Sequence, residues 1–317
     1  VRSASLFGVR EGARRPLLRR HVLALAAAAV AAACTSPSSP AAPAGPESGP
    51  PRAAEYAAAE PWTRLAPPRV FAQAVHSEFA CGPAALATAL AAEGGAIGAA
   101  VVALGDTAVA HTVAEHGSAP SEAYGDRPRF DPASGTCAED LLAWLDDWRA
   151  QYDLAPRAGL YLDRVEDEAP QAFVARVHGI LVDSLRAGAA PVVRLRSFAP
   201  QYDPQRGAYL WFGLVGHWVV VVGAPSALRP GARGFAFEYA DPATGAVATG
   251  WVHAEDTRPF AAAKGNARDW VWLTGNPFLL ATVPEQPTLA LDAPPWFLRT
   301  IVTLDHALVA APQPVAR

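Results

Sequence analysis

A chain of 317 residues with 51% hydrophobic and 18% charged side chains can bury one large core or two small ones. Its 26 basic and 30 acidic residues leave a formal charge of −4, a balance that argues against a nucleic-acid partner. No uninterrupted apolar segment reaches bilayer-spanning length, and the near absence of lysine (Lys264 alone) reflects a skewed composition rather than a mechanism.

Arg14, Arg15, Arg19 and Arg20 precede an uncharged, alanine-dominated run of 12 residues from Val22 to Ala33, which ends at Cys34. This is the pattern of a targeting segment, to be set apart from the fold. Val30-Ala31-Ala32-Ala33-Cys34 resembles a bacterial lipoprotein signal, although Ala31 stands where such signals usually carry leucine. The resemblance implies lipidation of Cys34, a membrane anchor and a place in the cell envelope. Arg14-Arg15-Pro16-Leu17-Leu18-Arg19 is similar to a twin-arginine export motif. Ordinary signal-peptidase cleavage at the alanine-rich end is the alternative, and it implies a soluble periplasmic or secreted protein. Without residues 1–33 the chain keeps 20 basic and 29 acidic residues. Residues 34–60, rich in Pro, Ala and Ser, read as a disordered tether. A folded domain is expected over 61–283 and a C-terminal extension over 284–317.

Along that domain, Arg69 to Val75 alternates like a short strand. Cys81-Gly82-Pro83 then opens an alanine-rich helix closed by Glu93-Gly94-Gly95, with Pro83 suited to the first turn. Ala96 to Gly117 is small and apolar, consistent with one more helix and a loop, and Ser118 to Ser134 has loop composition. A second helix follows Gly135-Thr136, with Thr136 as N-cap and an apolar stripe of Leu141, Leu142, Leu145 and Trp148. A third runs from Pro170 to Ala187 with Phe173, Val177, Ile180, Leu181 and Leu185 inward and Gly188 as its stop. The period then changes. Pro191 to Ser197, His217 to Gly223, Gly234 to Asp241, Val247 to Val252 and Thr300 to Leu304 read as strands. Helices first and an antiparallel sheet second is an α+β pattern.

A thiol at a helix N-terminus feels the positive end of the peptide dipoles, which favours the thiolate. A cysteine nucleophile also needs a base, and the base a partner to hold its tautomer. His217 opens the most apolar strand and Asp241 closes the next; if those strands pair antiparallel through the loop 225–233, imidazole and carboxylate meet at one edge of the sheet. The alternatives for Cys81 are a buried apolar role or a disulfide with Cys137. His111 and His116 stand five apart and do not share a helix face as zinc ligands must. Tyr209, Trp211, Phe212 and Trp218 are either rim of a cleft beside His217 or core.

Cys81-Gly82-Pro83-Ala84-Ala85-Leu86, Gly135-Thr136, Gly188 to Val193, Gly216-His217-Trp218 to Gly223 and Tyr239-Ala240-Asp241-Pro242 together resemble papain-like cysteine peptidases. They are most similar to the bacteriocin-processing (double-glycine leader) peptidases. The resemblance spans roughly Val70 to Val252. It implies a papain-like α+β fold and an enzyme that cleaves a peptide or amide substrate through a thioester, without metal or organic cofactor. It assigns Cys81 as nucleophile, His217 as general base and then acid, and Asp241 as the group that orients His217. The oxyanion-hole glutamine of that family usually stands about six residues before the cysteine, where this chain has Val75; Gln73, two residues farther, and His76 are the nearby donors. The surroundings of Cys81 also resemble phytochelatin synthases, which implies a γ-glutamyl-type transferase as an alternative. A second alternative is a non-catalytic envelope lipoprotein that keeps the fold to bind peptide.

Overall fold

The computed structural model describes residues 61–67, 69–203, 208–255, 263–264, 271–272, 277–283 and 301–311. The expected targeting segment, Cys34 and the tether lie outside the described residues.

The first helix, α1 (Cys81–Glu93), is buried along ten consecutive positions, Gly82 to Ala91. Small side chains make this possible: an alanine-rich helix can be surrounded on all sides because its neighbours approach the backbone closely. Gly94, at φ 69°, breaks it in a conformation that side chains with a Cβ rarely adopt. Helix α2 (Gly95–Ala103) starts at once and is followed by α3 (Ala108–Thr112) and a π-turn over Val113–Gly117. Helix α4 (Ala138–Ala150) buries Leu141, Trp144, Leu145 and Trp148. Its N-cap is Cys137, so the helix starts one residue later than the expected Thr136 cap. Glu93 at the end of α1 is gripped by Arg149 of α4 and by Arg157, which opens β2 (Arg157–Tyr161). Among the described residues no single helix is long and apolar enough to cross a membrane.

Helix α5 (Pro170–Arg186) follows its sequence pattern, with Phe173, Val177, Leu181 and Leu185 buried and Gly188 beyond its end at φ 74°. The strands are β1 (Trp62–Arg64), β3 (Val192–Asp203), β4 (Ala208–Pro225), β5 (Gly234–Asp241), β6 (Ala246–His253), β9 (Leu279–Thr282) and β10 (Ile301–Ala310). A separate two-residue ladder joins β7 (Ala263–Lys264) and β8 (Val271–Trp272). Strands β4, β3, β10, β9, β6 and β5 pair in that order, and β5 pairs back onto β4, closing an antiparallel ring. β1 joins it on β4 and β2 on β10. The α+β class read from the sequence holds, with the sheet closed into a barrel.

Alternation along β4 divides two cores. Trp218, Val220 and Val222 pack with α1, α2 and α4, while Val219 and Val221 pack with α5 and residues of β5, β9 and β10. Three expectations change. Arg69–Val75 is not a strand: Phe71 N–H donates to Thr88 Oγ1 of α1 and Gln73 N–H to the Pro242 carbonyl, so its main chain is satisfied without a ladder. The segment from Pro200 to Val215, which lies between the expected strands Pro191 to Ser197 and His217 to Gly223, extends both and belongs largely to the β3–β4 hairpin. The domain does not end at 283 either, because β10 lies between β3 and β9 and also carries β2.

Candidate active site

Cys81 is the first residue of α1, whose N-cap, Ala80, offers no side-chain acceptor. The leading N–H groups of the helix are therefore available to other partners. The main-chain N–H groups of Gly82 and Trp218 face the Cys81 sulfur and favour its thiolate. Among the described residues the N–H of Cys81 itself has no acceptor. Gly82 is needed for close approach: a Cβ there would collide with the methyl of Thr136 and stand 3.2 Å from Leu141 Cδ1. The loop that carries Thr136 is thus pressed against the residue next to Cys81.

That loop has its own framework. Pro120 bridges to Pro128 and Asp131 to Gly135. Asp140, fully buried on α4, accepts from Ser121 Oγ at 2.7 Å and from the N–H of Glu122 at 2.6 Å. Gly135, at φ 78°, turns the chain where a Cβ would sit 3.0 Å from the Phe79 carbonyl oxygen. The Trp218 indole N–H donates to the Thr136 carbonyl at 3.4 Å and joins the loop to β4.

Strands β4 and β5 pair as the sequence pattern required, Val220 opposite Ala240 and Val221 opposite Tyr239. His217 and Asp241 therefore meet, with His217 Nε2 2.7 Å from Asp241 Oδ1. Both are buried, at 3% and 1% exposure. Asp241 Oδ1 also accepts the N–H of Ala243 at 2.8 Å, and the Gly245 N–H closes the turn on the Asp241 carbonyl at 2.8 Å. The Asp-Pro-x-x-Gly sequence is both a turn and the support of the histidine. With Nε2 committed to Asp241, Nδ1 is the nitrogen left to act on the Cys81 sulfur, whose thiolate His217 favours.

The electrostatics follow from this line of three. Burial pushes the Cys81 thiol up, but the hydrogen bond and positive charge of His217, with the two main-chain N–H donors, bring it below its ordinary value. Burial pushes His217 down, yet Asp241 on one side and the Cys81 sulfur on the other hold it up at about 9. Asp241, raised by burial, is lowered overall by His217. The arrangement favours thiolate and imidazolium together.

Gln73 is brought to this cluster by a coil in the chain. It starts a 3-10 turn (Gln73–Val75), its carbonyl accepts the N–H groups of His76 and Ser77, and its own N–H reaches the carbonyl of Pro242. The turn shortens the path of the chain between Gln73 and Cys81. The Gln73 side chain is buried, and its Nε2 donates to the Glu78 carbonyl at 2.7 Å. Val75 is 61% exposed, and His76 is exposed with its ring 5.8 Å from that of Phe130. Of the three positions, Gln73 is the buried amide beside the Asp241–Pro242 turn.

Cys137 is a free thiol, as is Cys81, so the two are not bridged. Its sulfur donates to Asp140 Oδ2 at 3.0 Å, and burial together with Asp140 pushes its pKa well up. His111 pairs with Glu115 while His116 is buried beside the rings of Trp144 and Trp148. Among the described residues no three His, Cys, Asp or Glu side chains are grouped to hold a metal. Trp218 contacts the Thr136 loop; the side chains of Tyr209, Trp211 and Phe212 lie outside the described part of the structure. Sequence reasoning did not single out Thr136 as a wall of the site or Asp140 as its anchor. The acid in the first turn of α4 was legible, but its loop partners were not.

No protein family matches this chain, and no curated protein or solved structure is similar to it. The function has to be argued from the site itself.

Proposed function

We propose that the chain is a cysteine peptidase or amidase of papain-like fold, acting on a peptide or amide substrate. The observation that carries this is the line Cys81–His217–Asp241, in which a half-buried helix-start thiol adjoins a buried histidine whose other nitrogen is fixed by a buried carboxylate. The thiolate attacks the carbonyl carbon and the π electrons move to oxygen. The N–H of Cys81 and the second N–H of the Gln73 carboxamide, the first being spent on Glu78, are the donors available to that oxyanion. His217 passes its proton to the leaving amine as the C–N bond breaks, leaving a thioester on Cys81. It then takes a proton from water, whose oxygen attacks the thioester; the C–S bond breaks, the acid leaves and the thiolate–imidazolium pair is restored. Asp241 keeps the ring oriented through both steps and need not change protonation.

The test is to incubate the protein with a mixed peptide library and read new termini by mass spectrometry, with Cys81→Ala as control. New termini that depend on Cys81, and a trapped acyl adduct on that residue, are the expected result. An intact library together with a Cys81 no more reactive than a free thiol would overturn the proposal.

Gln73 supplies a narrower prediction. Gln73→Glu keeps the size of the side chain but removes its N–H donors and adds a negative charge near the oxyanion. It should lower kcat by about a hundredfold or more while changing KM much less. Steady-state kinetics on any peptide found above decides it, and an unchanged kcat would remove Gln73 from the oxyanion hole.

A further inference from the structure

On the face of the barrel that carries Trp218, the strands line up charged residues in rows. Trp218 of β4 stands opposite Arg194 of β3, which stands opposite His306 of β10; one row on, Gly216 stands opposite Arg196, which faces Thr303. The row of Arg196 thus adjoins His217, which pairs with Leu195. Arg194 is fully compensated. Its Nε and Nη2 donate to Asp305 Oδ1 and Oδ2 at 2.8 and 2.9 Å, and its guanidinium lies 5.7 Å from the centre of the Trp218 ring. Glu139 adds its charge toward Arg194 and His306.

Arg196 is treated differently. Among the described residues its one ionic partner is the same Asp305, at 3.9 Å, beyond hydrogen-bond distance. Its side chain keeps 24% exposure, and its guanidinium is 5.2 Å from the centre of the Phe198 ring. A Cβ at Gly213 would collide with that guanidinium, and one at Gly216 would stand 3.3 Å from Arg194 Cδ. The two glycines just before His217 make room for the arginines. Two guanidiniums thus share one buried carboxylate, and the unshared donors belong to Arg196. His306, pushed down to about 4 by burial and then by Arg194, adds no charge at neutral pH.

We propose that Arg196, steadied by Arg194 and Asp305, is a carboxylate-binding subsite beside the nucleophile, so that the preferred substrate carries a carboxylate near the scissile bond. This rests on the peptidase reading of Cys81. A planar guanidinium whose donors take no hydrogen bond among the described residues, set over bare glycine backbone, matches a carboxylate in a forked geometry. The carboxylate is either an acidic side chain or a free C-terminus.

The test uses alkylating probes whose reaction needs only the thiolate: sulfur displaces iodide and a C–S bond replaces the C–I bond. N-iodoacetyl-glutamate α-amide presents a side-chain carboxylate and N-iodoacetyl-leucine a terminal one. N-iodoacetyl-glutamine amide and N-iodoacetyl-leucine amide are their neutral counterparts. Cys81 should react about tenfold faster with at least one acid than with its amide, the scale of one charge-assisted hydrogen bond. That ratio should fall close to one in Arg196→Gln and recover in part in Arg196→Lys. Whichever acid shows the preference identifies the source of the carboxylate. Arg196→Gln leaves Asp305 paired with Arg194, so the fold is not put at risk. A ratio near one in the unaltered protein, or a preference that survives Arg196→Gln, overturns the subsite alone. A Cys81 that reacts with none of the four probes overturns the peptidase reading and the subsite with it.

Discussion

At about pH 6, iodoacetamide is expected to alkylate Cys81 at least about a hundredfold faster than Cys137 in the same molecule. An ordinary thiol titrates near 8.5, so roughly one in 300 is thiolate at that pH. Cys137 falls below even that fraction, because burial and Asp140 push its pKa up. Cys81 lies on the other side, since its burial is outweighed by His217 together with the main-chain N–H groups of Trp218 and Gly82. Part of the gain is lost because a less basic thiolate is a weaker nucleophile, which is why the ratio is set near a hundredfold. Peptide mapping of the alkylated chain over time measures both sites at once. His217→Ala should reverse the order of effects at Cys81: burial remains, its counterweight is gone, and labelling should fall by about a hundredfold or more. A wild-type Cys81 with the labelling profile of a free thiol would show that the ion pair does not form.

The pH dependence has a definite sign. His217 is held up at about 9, above its ordinary value, so the folded state favours the charged ring. The stability it contributes is complete below the unfolded value near 6.5 and is lost as pH rises through about 9. Turnover should fall over the same alkaline window, because the ring that protonates the leaving amine is then neutral. Asp241→Asn removes one of the two contacts that raise His217 and should move that limb to lower pH.

Asp305→Asn is expected to destabilise the protein by about 3–5 kcal/mol, the usual consequence of removing one partner from a buried ion pair. Asp305 is completely buried and receives both donors of the Arg194 fork, with Arg196 close behind. The amide can still accept a hydrogen bond, but it leaves two neighbouring guanidiniums in the sheet face without a counter-charge. Urea denaturation followed by fluorescence reads the change. Arg194→Met combined with Asp305→Leu should recover part of the loss, since only the partly exposed Arg196 is then left without a carboxylate. A single Asp305→Asn within about 0.5 kcal/mol of wild type would mean that solvent screens this cluster.

Much of this fold and site was legible where local patterns and final contacts agree. Helix α5 is amphipathic, capped by proline at its start and glycine past its end, and its boundaries follow from those residues. The meeting of His217 with Asp241 followed from two adjacent strands and a short loop, a local matter. Cys81 was legible because a helix opening on Cys-Gly-Pro is an unusual choice of residues. The illegible parts depend on distant partners. Arg69–Val75 alternates like a strand, yet a threonine on α1 and the turn after Asp241 take its hydrogen bonds. Trp62–Arg64, with no pattern of its own, becomes a strand because β4 extends far enough to receive it. Asp305 in the strand β10 looks like a surface acid until Arg194, more than a hundred residues earlier, is placed beside it. The place of Gln73 depended on a coil that spacing alone does not show.

The closed ring has a temporal consequence. Strand β10 fills the gap between β3 and β9, so the ladder that supports His217 lacks a member until residue 310 has been made. Cys81 and Asp241 are synthesised well before that point. The ring of strands is thus completed only after every residue of the candidate site has been made.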